Sequence, residues 1–87
     1  MNKYLRTPTD IIDLHGYTTA EAEMLLLDMV KNSTHTHVRI ITGKGNHGTR
    51  GPVLRDFVKQ FLYMHGIHFN PAKPADGGDG ALEVFLK

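Results

Sequence analysis

Two apolar stripes at helical spacing, each set between short β-branched segments, constrain this chain more than any other feature. Ala22, Leu25, Leu26, Met29 and Val30 recur at i, i+3, i+4, i+7 and i+8, and Leu54, Phe57, Val58, Phe61 and Leu62 repeat that pattern. Ile11 to Leu14 precedes the first stripe and Val38-Arg39-Ile40-Ile41 lies between the two, both short and β-branched as strands favour. Ile67-His68-Phe69 starts a third strand. Leu82, Val84 and Leu86 then alternate with Ala81, Glu83 and Phe85, as a fourth strand with one buried face does. The order is βαβαββ, with no internal repeat. Strand–helix–strand crossovers are right-handed and give parallel pairing, while the last two strands can pair as a hairpin. The expected fold class is α/β, an α+β two-layer sandwich with two helices on a four-stranded mixed sheet.

Local signals place the element ends. Thr18 followed three residues later by Glu21 is a capping box, and Glu21 and Glu23 suit the positive end of a helix dipole. That helix should fade near Asn32-Ser33. Pro52 suits the first position of the second helix, where its missing N–H costs nothing, and Gly66 is the expected left-handed stop. Residues 1–9 are polar, contain Pro8 and read as a short lead-in, leaving 10–87 as a single domain. Residues 71–80, with Gly77, Gly78 and Gly80, read as a flexible connection.

An 87-residue chain has room for one core. With no cysteine, disulfides and thiolate metal sites are excluded. No apolar run approaches the roughly 20 residues of a membrane span, and the first ten residues carry no signal-peptide core. A cytoplasmic protein with no membrane partner is the expectation. The net charge of +1 hides a polarised distribution. Arg39, Lys44, Arg50, Arg55, Lys59 and Lys73 occupy the middle, where Asp56 is the sole acid between Arg39 and Lys73. Such a chain can turn a basic face to a polyanion. A mixed, solvated surface accounts for the same charges equally well.

In sheets containing parallel strands, sites form beyond the carboxyl ends of those strands. Asp13 and His15 stand at the end of the first strand, and residues i and i+2 share a face, so both can emerge while Leu14 packs inward. A carboxylate beside an imidazole fixes its tautomer, as a general acid or base requires. The plainer alternative is that Asp13 caps the strand–helix turn and His15 is an edge histidine. At the end of the second strand, Gly43-Lys44-Gly45-Asn46-His47-Gly48 matches G-x-G-x-x-G. The dinucleotide reading fails, because the loop follows the second strand, its helix starts beyond the third glycine, and no acid stands about 20 residues on. No Lys-Ser or Lys-Thr pair follows a glycine either, so the Walker pattern fails. What survives is a phosphate cradle of backbone N–H groups with Lys44 as a point charge. His35, His37, His65 and His68 lie at different ends of different elements, so neither a metal site nor a cofactor is expected. Tyr17 is the aromatic best placed to touch a base or sugar, unless it serves as a hydrophobic staple.

Asp13-Leu14-His15-Gly16 opening a helix, then Thr42-Gly43-Lys44-Gly45-Asn46-His47, then Asp76-Gly77-Gly78-Asp79-Gly80-Ala81 before a last strand, resembles the Smr (small MutS-related) domain family. The likeness covers roughly Asp10 to Lys87, with the three motifs in the family's order. It implies a βαβαββ fold similar to the C-terminal domain of translation initiation factor three, nucleic-acid binding and, in several members, endonuclease activity on RNA or nicking of DNA. By position, Asp13 and His15 match the motif tied to cleavage, and Gly43, Lys44 and Gly45 the loop tied to nucleic-acid contact. Asn46 and His47 match a variant of that loop. Many members carry histidine where this chain has Thr42, so its role is absent here or passes to His47.

The expectation is therefore an Smr-type endonuclease that prefers RNA to DNA, acts as a monomer and has the ribosome as a candidate partner. Asp13, His15 and His47 are its expected catalytic residues, and Tyr17, Gly43, Lys44, Gly45, Asn46 and Arg50 its expected nucleic-acid contacts. A non-catalytic module that docks on ribosomal RNA or branched DNA is the alternative. A protein-interaction domain is disfavoured by the basic middle of the chain.

Overall fold

The computed structural model of the protein describes residues 10–32, 36–43, 51–76 and 78–86. The elements are β1 (Asp10–Asp13), α1 (Thr19–Asn32), β2 (His37–Ile41), α2 (Gly51–Met64), β3 (His68–Pro71) and β4 (Ala81–Phe85). The four strands form one mixed sheet in the order β1-β2-β4-β3. β1 and β2 run parallel, whereas β4 lies antiparallel between β2 and β3. The expected βαβαββ order, two-layer architecture and parallel first pair all hold, with element ends within a few residues of expectation.

The element starts and stops have the causes the residues announced. The Thr18 hydroxyl accepts from the Glu21 N–H at 3.1 Å while the Glu21 carboxylate accepts from the Thr18 N–H at 2.9 Å, the reciprocal capping box that starts α1. α2 ends before Gly66, whose φ of 67° is the left-handed stop. Ala22, Leu26 and Met29 of α1 and Leu54, Val58, Phe61 and Leu62 of α2 pack on Val38, Ile40, Leu82 and Val84 of the sheet. Two expected core residues fall outside that cluster: Leu25 is 38% and Val30 42% exposed. A two-layer sandwich covers a helix only on the sheet side, so the stripe narrows to i, i+4 and i+7 and its flanks reach water.

The described parts of the connection before β4 are more ordered than a glycine-rich stretch suggests. They form two short 3₁₀ turns, Pro74–Asp76 and Gly78–Gly80. The Gly80 carbonyl then accepts the N–H groups of Thr42 at 2.8 Å and Gly43 at 3.1 Å, which ties the end of β2 to the start of β4.

On the sheet face away from the helices, Glu83 of β4 joins Arg39 and His37 of β2. Its carboxylate accepts from Arg39 Nε at 2.7 Å and meets His37 Nε2 at 2.6 Å, and all three side chains are largely buried. Phe85 stacks on His37 with centroids 4.8 Å apart. Arg39 is thus held in a structural pair and does not join the basic face expected from the sequence. Removing one partner of such a pair costs more than the pair contributes net, because charge is left in a poorly solvated place. Glu83→Ala is expected to destabilise the fold by about 2 kcal/mol, a fall in Tm of about 8–16 °C in a thermal melt. A change under a degree would show the cluster to be energetically idle.

Candidate nucleic-acid active site

The end of β1 is built by five consecutive residues, each with a separate physical task. Asp13 closes the strand opposite Ile41 of β2. Leu14 is fully buried and its N–H still donates to the Ile41 carbonyl at 2.7 Å, anchoring the turn that follows. The Tyr17 N–H donates back to the Leu14 carbonyl at 3.0 Å, closing a four-residue turn with His15 at its corner. Gly16 has φ 81° in the third position, a conformation that suits glycine. His15 therefore sits on a turn and not on the strand itself. The alternation argument gave the right neighbours for a different reason: the turn presents the ring and Asp13 reaches across to hold it.

The Asp13 carboxylate makes two contacts through one oxygen. It accepts from the His15 backbone N–H at 3.1 Å and meets ring Nδ1 at 2.6 Å. Asp13 brings a carboxylate that accepts hydrogen bonds, so Nδ1 carries the proton and Nε2 is left to face a substrate. Both side chains remain open to water, at 49% for Asp13 and 71% for His15. The ring hydrogen bond and then the backbone N–H hold the Asp13 carboxyl below its ordinary value of 3.8, against a smaller opposing effect of burial, with the charge interaction with His15 the smallest contribution. A carboxyl lowered on folding adds stability that is present above its unfolded pKa and lost as pH falls through the folded value. Because Asp13 is half-exposed, that contribution is small. Urea unfolding from pH 7 down to pH 2.5 is expected to show Asp13→Asn less stable than the parent near neutrality, with the gap closing on acidification. A gap constant with pH would contradict the hydrogen-bonded carboxylate.

Gly43 begins the second half of the site. Its φ is 87°, and a Cβ built on it would lie 3.4 Å from His15 Cβ. The start of the glycine loop therefore packs directly against the turn that holds His15. Thr42 just before it is fully buried, so its side chain offers nothing to a ligand at the surface. Tyr17, which closes the His15 turn through its N–H, is 37% exposed and is not among the residues of the core cluster. Lys44, Gly45, Asn46, His47 and Arg50, all expected at this site, lie outside the described residues. Sequence reasoning missed Gly80, whose carbonyl positions Thr42 and Gly43. Its signal was present in the Asp76–Ala81 motif, most of which lies in the stretch 71–80 that read as a flexible connection.

Of the histidines considered for metal, His35 lies outside the described residues, and the other three have contacts of their own. His37 serves Glu83 and Phe85, His65 rests on Phe61 with centroids 4.1 Å apart, and His68 approaches Phe85 at 5.4 Å. Among the described residues, no helix is long and apolar enough to cross a membrane.

A family model for the Smr domain matches residues 12–87. The chain belongs to the Smr domain family. Its fold is that of other Smr domains: the crystal structure of the Smr domain of Thermus thermophilus MutS2 superposes with a TM-score of 0.77 at 26% identity, covering 91% of this chain and 99% of that one. The solution structure of the B3BP Smr domain gives a TM-score of 0.65 at 30% identity over 92% and 80% of the two chains. Among full proteins, Endonuclease MutS2 of Carboxydothermus hydrogenoformans is 37% identical over 79 residues, and NEDD4-binding protein 2 of Homo sapiens is 30% identical over 89. The Smr domain described here spans 10% and 5% of the lengths of those two proteins.

Proposed function

We propose that this Smr domain is an endonuclease that cleaves RNA by metal-independent transesterification, with nucleic acid bound across the ends of β1 and β2. The observation that carries the reading is the 2.6 Å contact between Asp13 and the His15 ring on an exposed turn, with the glycine loop starting against it. The name of Endonuclease MutS2, a relative through this domain, points the same way. His15 Nε2 takes the proton of a ribose 2′-hydroxyl, the freed oxygen bonds to the adjacent phosphorus, and the bond to the 5′-oxygen breaks. The leaving oxygen receives a proton from His47, which completes the exchange. Asp13 orients His15 and stabilises the imidazolium. Lys44, Gly43, Gly45 and Asn46 cradle the phosphate, Arg50 adds charge, and Tyr17 stacks on a base or sugar. Proton transfer of this kind contributes about 10²–10⁴-fold, so preorganised charge at Lys44 and the loop amides has to supply the rest.

The first test is incubation of purified protein with end-labelled single-stranded RNA, duplex DNA and supercoiled plasmid, with and without EDTA. RNA cutting that survives EDTA is the expected result, and binding without any cutting overturns the enzymatic reading. That outcome would favour a non-catalytic nucleic-acid-binding module, for which one observation stands: Asp13 also accepts the His15 backbone N–H, as a simple turn cap does. In either case phosphate contacts dominate affinity and respond to salt. Lys44→Ala is expected to weaken RNA binding and reduce the salt slope by about one unit. An unchanged slope in a fluorescence-anisotropy titration would remove Lys44 from the interface.

A further inference from the structure

A second basic feature lies at the same end of the sheet, away from the turn and the loop. Arg55 and Lys59 of α2 are one helical turn apart, so their side chains share a face, and both are half-buried. With Pro71 of β3, Gly78, Ala81 and Leu82 they line an open cleft of about 280 Å³ between α2 and the 3₁₀ turns before β4. Among the described residues that line it, none is acidic. Arg55 makes other contacts as well, including one of 4.0 Å to the well-exposed Asp56, a pair that water screens heavily.

The cleft lies in register with the proposed active site. Asp13 pairs with Ile41, and Ile41 with Ala81, so the wall of the cleft stands two strands across from Asp13. At about 4.8 Å per strand, that is about 10 Å along the sheet end. A stacked strand rising about 3.4 Å per nucleotide covers it in roughly three residues. Two half-buried cations one helical turn apart, lining one opening at that distance, have the chemistry of a phosphate clamp, with long stems that can pack on protein.

We propose that this cleft holds a second phosphodiester of the bound strand, roughly three nucleotides from the one that is cut, so that RNA crosses the sheet end from β1 toward β3. The proposal rests on the nucleic-acid reading above and adds the path of the strand. One clamped phosphate contributes about 0.7 to the salt slope of single-strand binding. Arg55→Gln with Lys59→Gln is therefore expected to lower the slope by about that amount for a labelled single-stranded oligoribonucleotide. It is also expected to raise KM about tenfold for a long RNA while leaving kcat unchanged. Cleavage of a dinucleotide, which cannot reach the cleft, is expected to be unaffected. Lys31→Gln, at the far end of α1, serves as the charge-matched control for Lys59→Gln alone.

If parent and double variant bind with the same slope and affinity, the clamp is wrong while the nucleic-acid reading stands. If the double variant loses Tm yet keeps the parent's slope, the two cations only brace the 3₁₀ turns, and the clamp is again wrong. If the parent protein binds no RNA at all, both readings fall. Lys59→Gln alone, the milder change, is expected to give about half the loss in slope with an unaltered melt.

Discussion

Replacing His15 with alanine is expected to lower RNA cleavage by about 10²–10⁴-fold while leaving binding affinity and the melting temperature nearly as they were. The side chain is largely exposed, so its removal opens no cavity, and the turn is held by Leu14, Gly16 and the Tyr17 N–H without the ring. In the proposed mechanism Asp13 acts through His15, whose ring its carboxylate holds at 2.6 Å. The two substitutions should therefore fail to add. Asp13→Ala with His15→Ala is expected to be about as inactive as His15→Ala alone, because the carboxylate has nothing left to orient. Independent losses that multiply would mean that Asp13 contacts the reacting atoms itself. Single variants that unfold would make the pair a structural cap, and variants that fold and still cleave would remove both residues from the chemistry.

The second large effect is expected in the substrate. A single 2′-deoxynucleotide at the cut position removes the attacking oxygen, so cleavage there should stop while binding, which rests on phosphates, stays within about twofold. The alternative chemistry, water activated by two bridged metal ions, is indifferent to that hydroxyl and needs several carboxylates around ions about 4 Å apart. At the end of β1, Asp13 is committed to His15. Asp76 and Asp79, on the turns that lead into β4, are the acids that would have to supply the rest. Cleavage of the deoxy-substituted strand at the parent rate would show that water is the nucleophile.

The architecture was legible because each element carried its own period and its own punctuation. The capping box at Thr18 and Glu21, the stop at Gly66 and the alternation from Leu82 to Phe85 each correspond to an observed feature. Leu25 and Val30 misled because a two-layer fold buries a narrower helical stripe than the sequence pattern offers. The insertion of β4 between β2 and β3 was not legible, since strand order depends on long-range pairing that no local window encodes. At the site, Asp13, His15 and Gly43 could be read as neighbours from strand ends alone. Their actual coupling needed the turn at Gly16 and the reach of the Gly80 carbonyl, which are backbone events. Arg39 could be read only as a charge; its commitment to Glu83 comes from a cross-strand register. Arg55 and Lys59 looked like ordinary surface charge until β3 and the 3₁₀ turns closed a cleft around them.

The central claim is that an imidazole held by Asp13, and not a metal, drives attack by the RNA's own hydroxyl. Its most direct test is the chemistry of the cut ends after digestion of end-labelled single-stranded RNA in EDTA. The account predicts a 5′-hydroxyl on the downstream fragment and a cyclic 2′,3′-phosphate on the upstream one, both absent with His15→Ala. A 5′-phosphate end, or cutting that requires a divalent ion and proceeds equally on DNA, would contradict it.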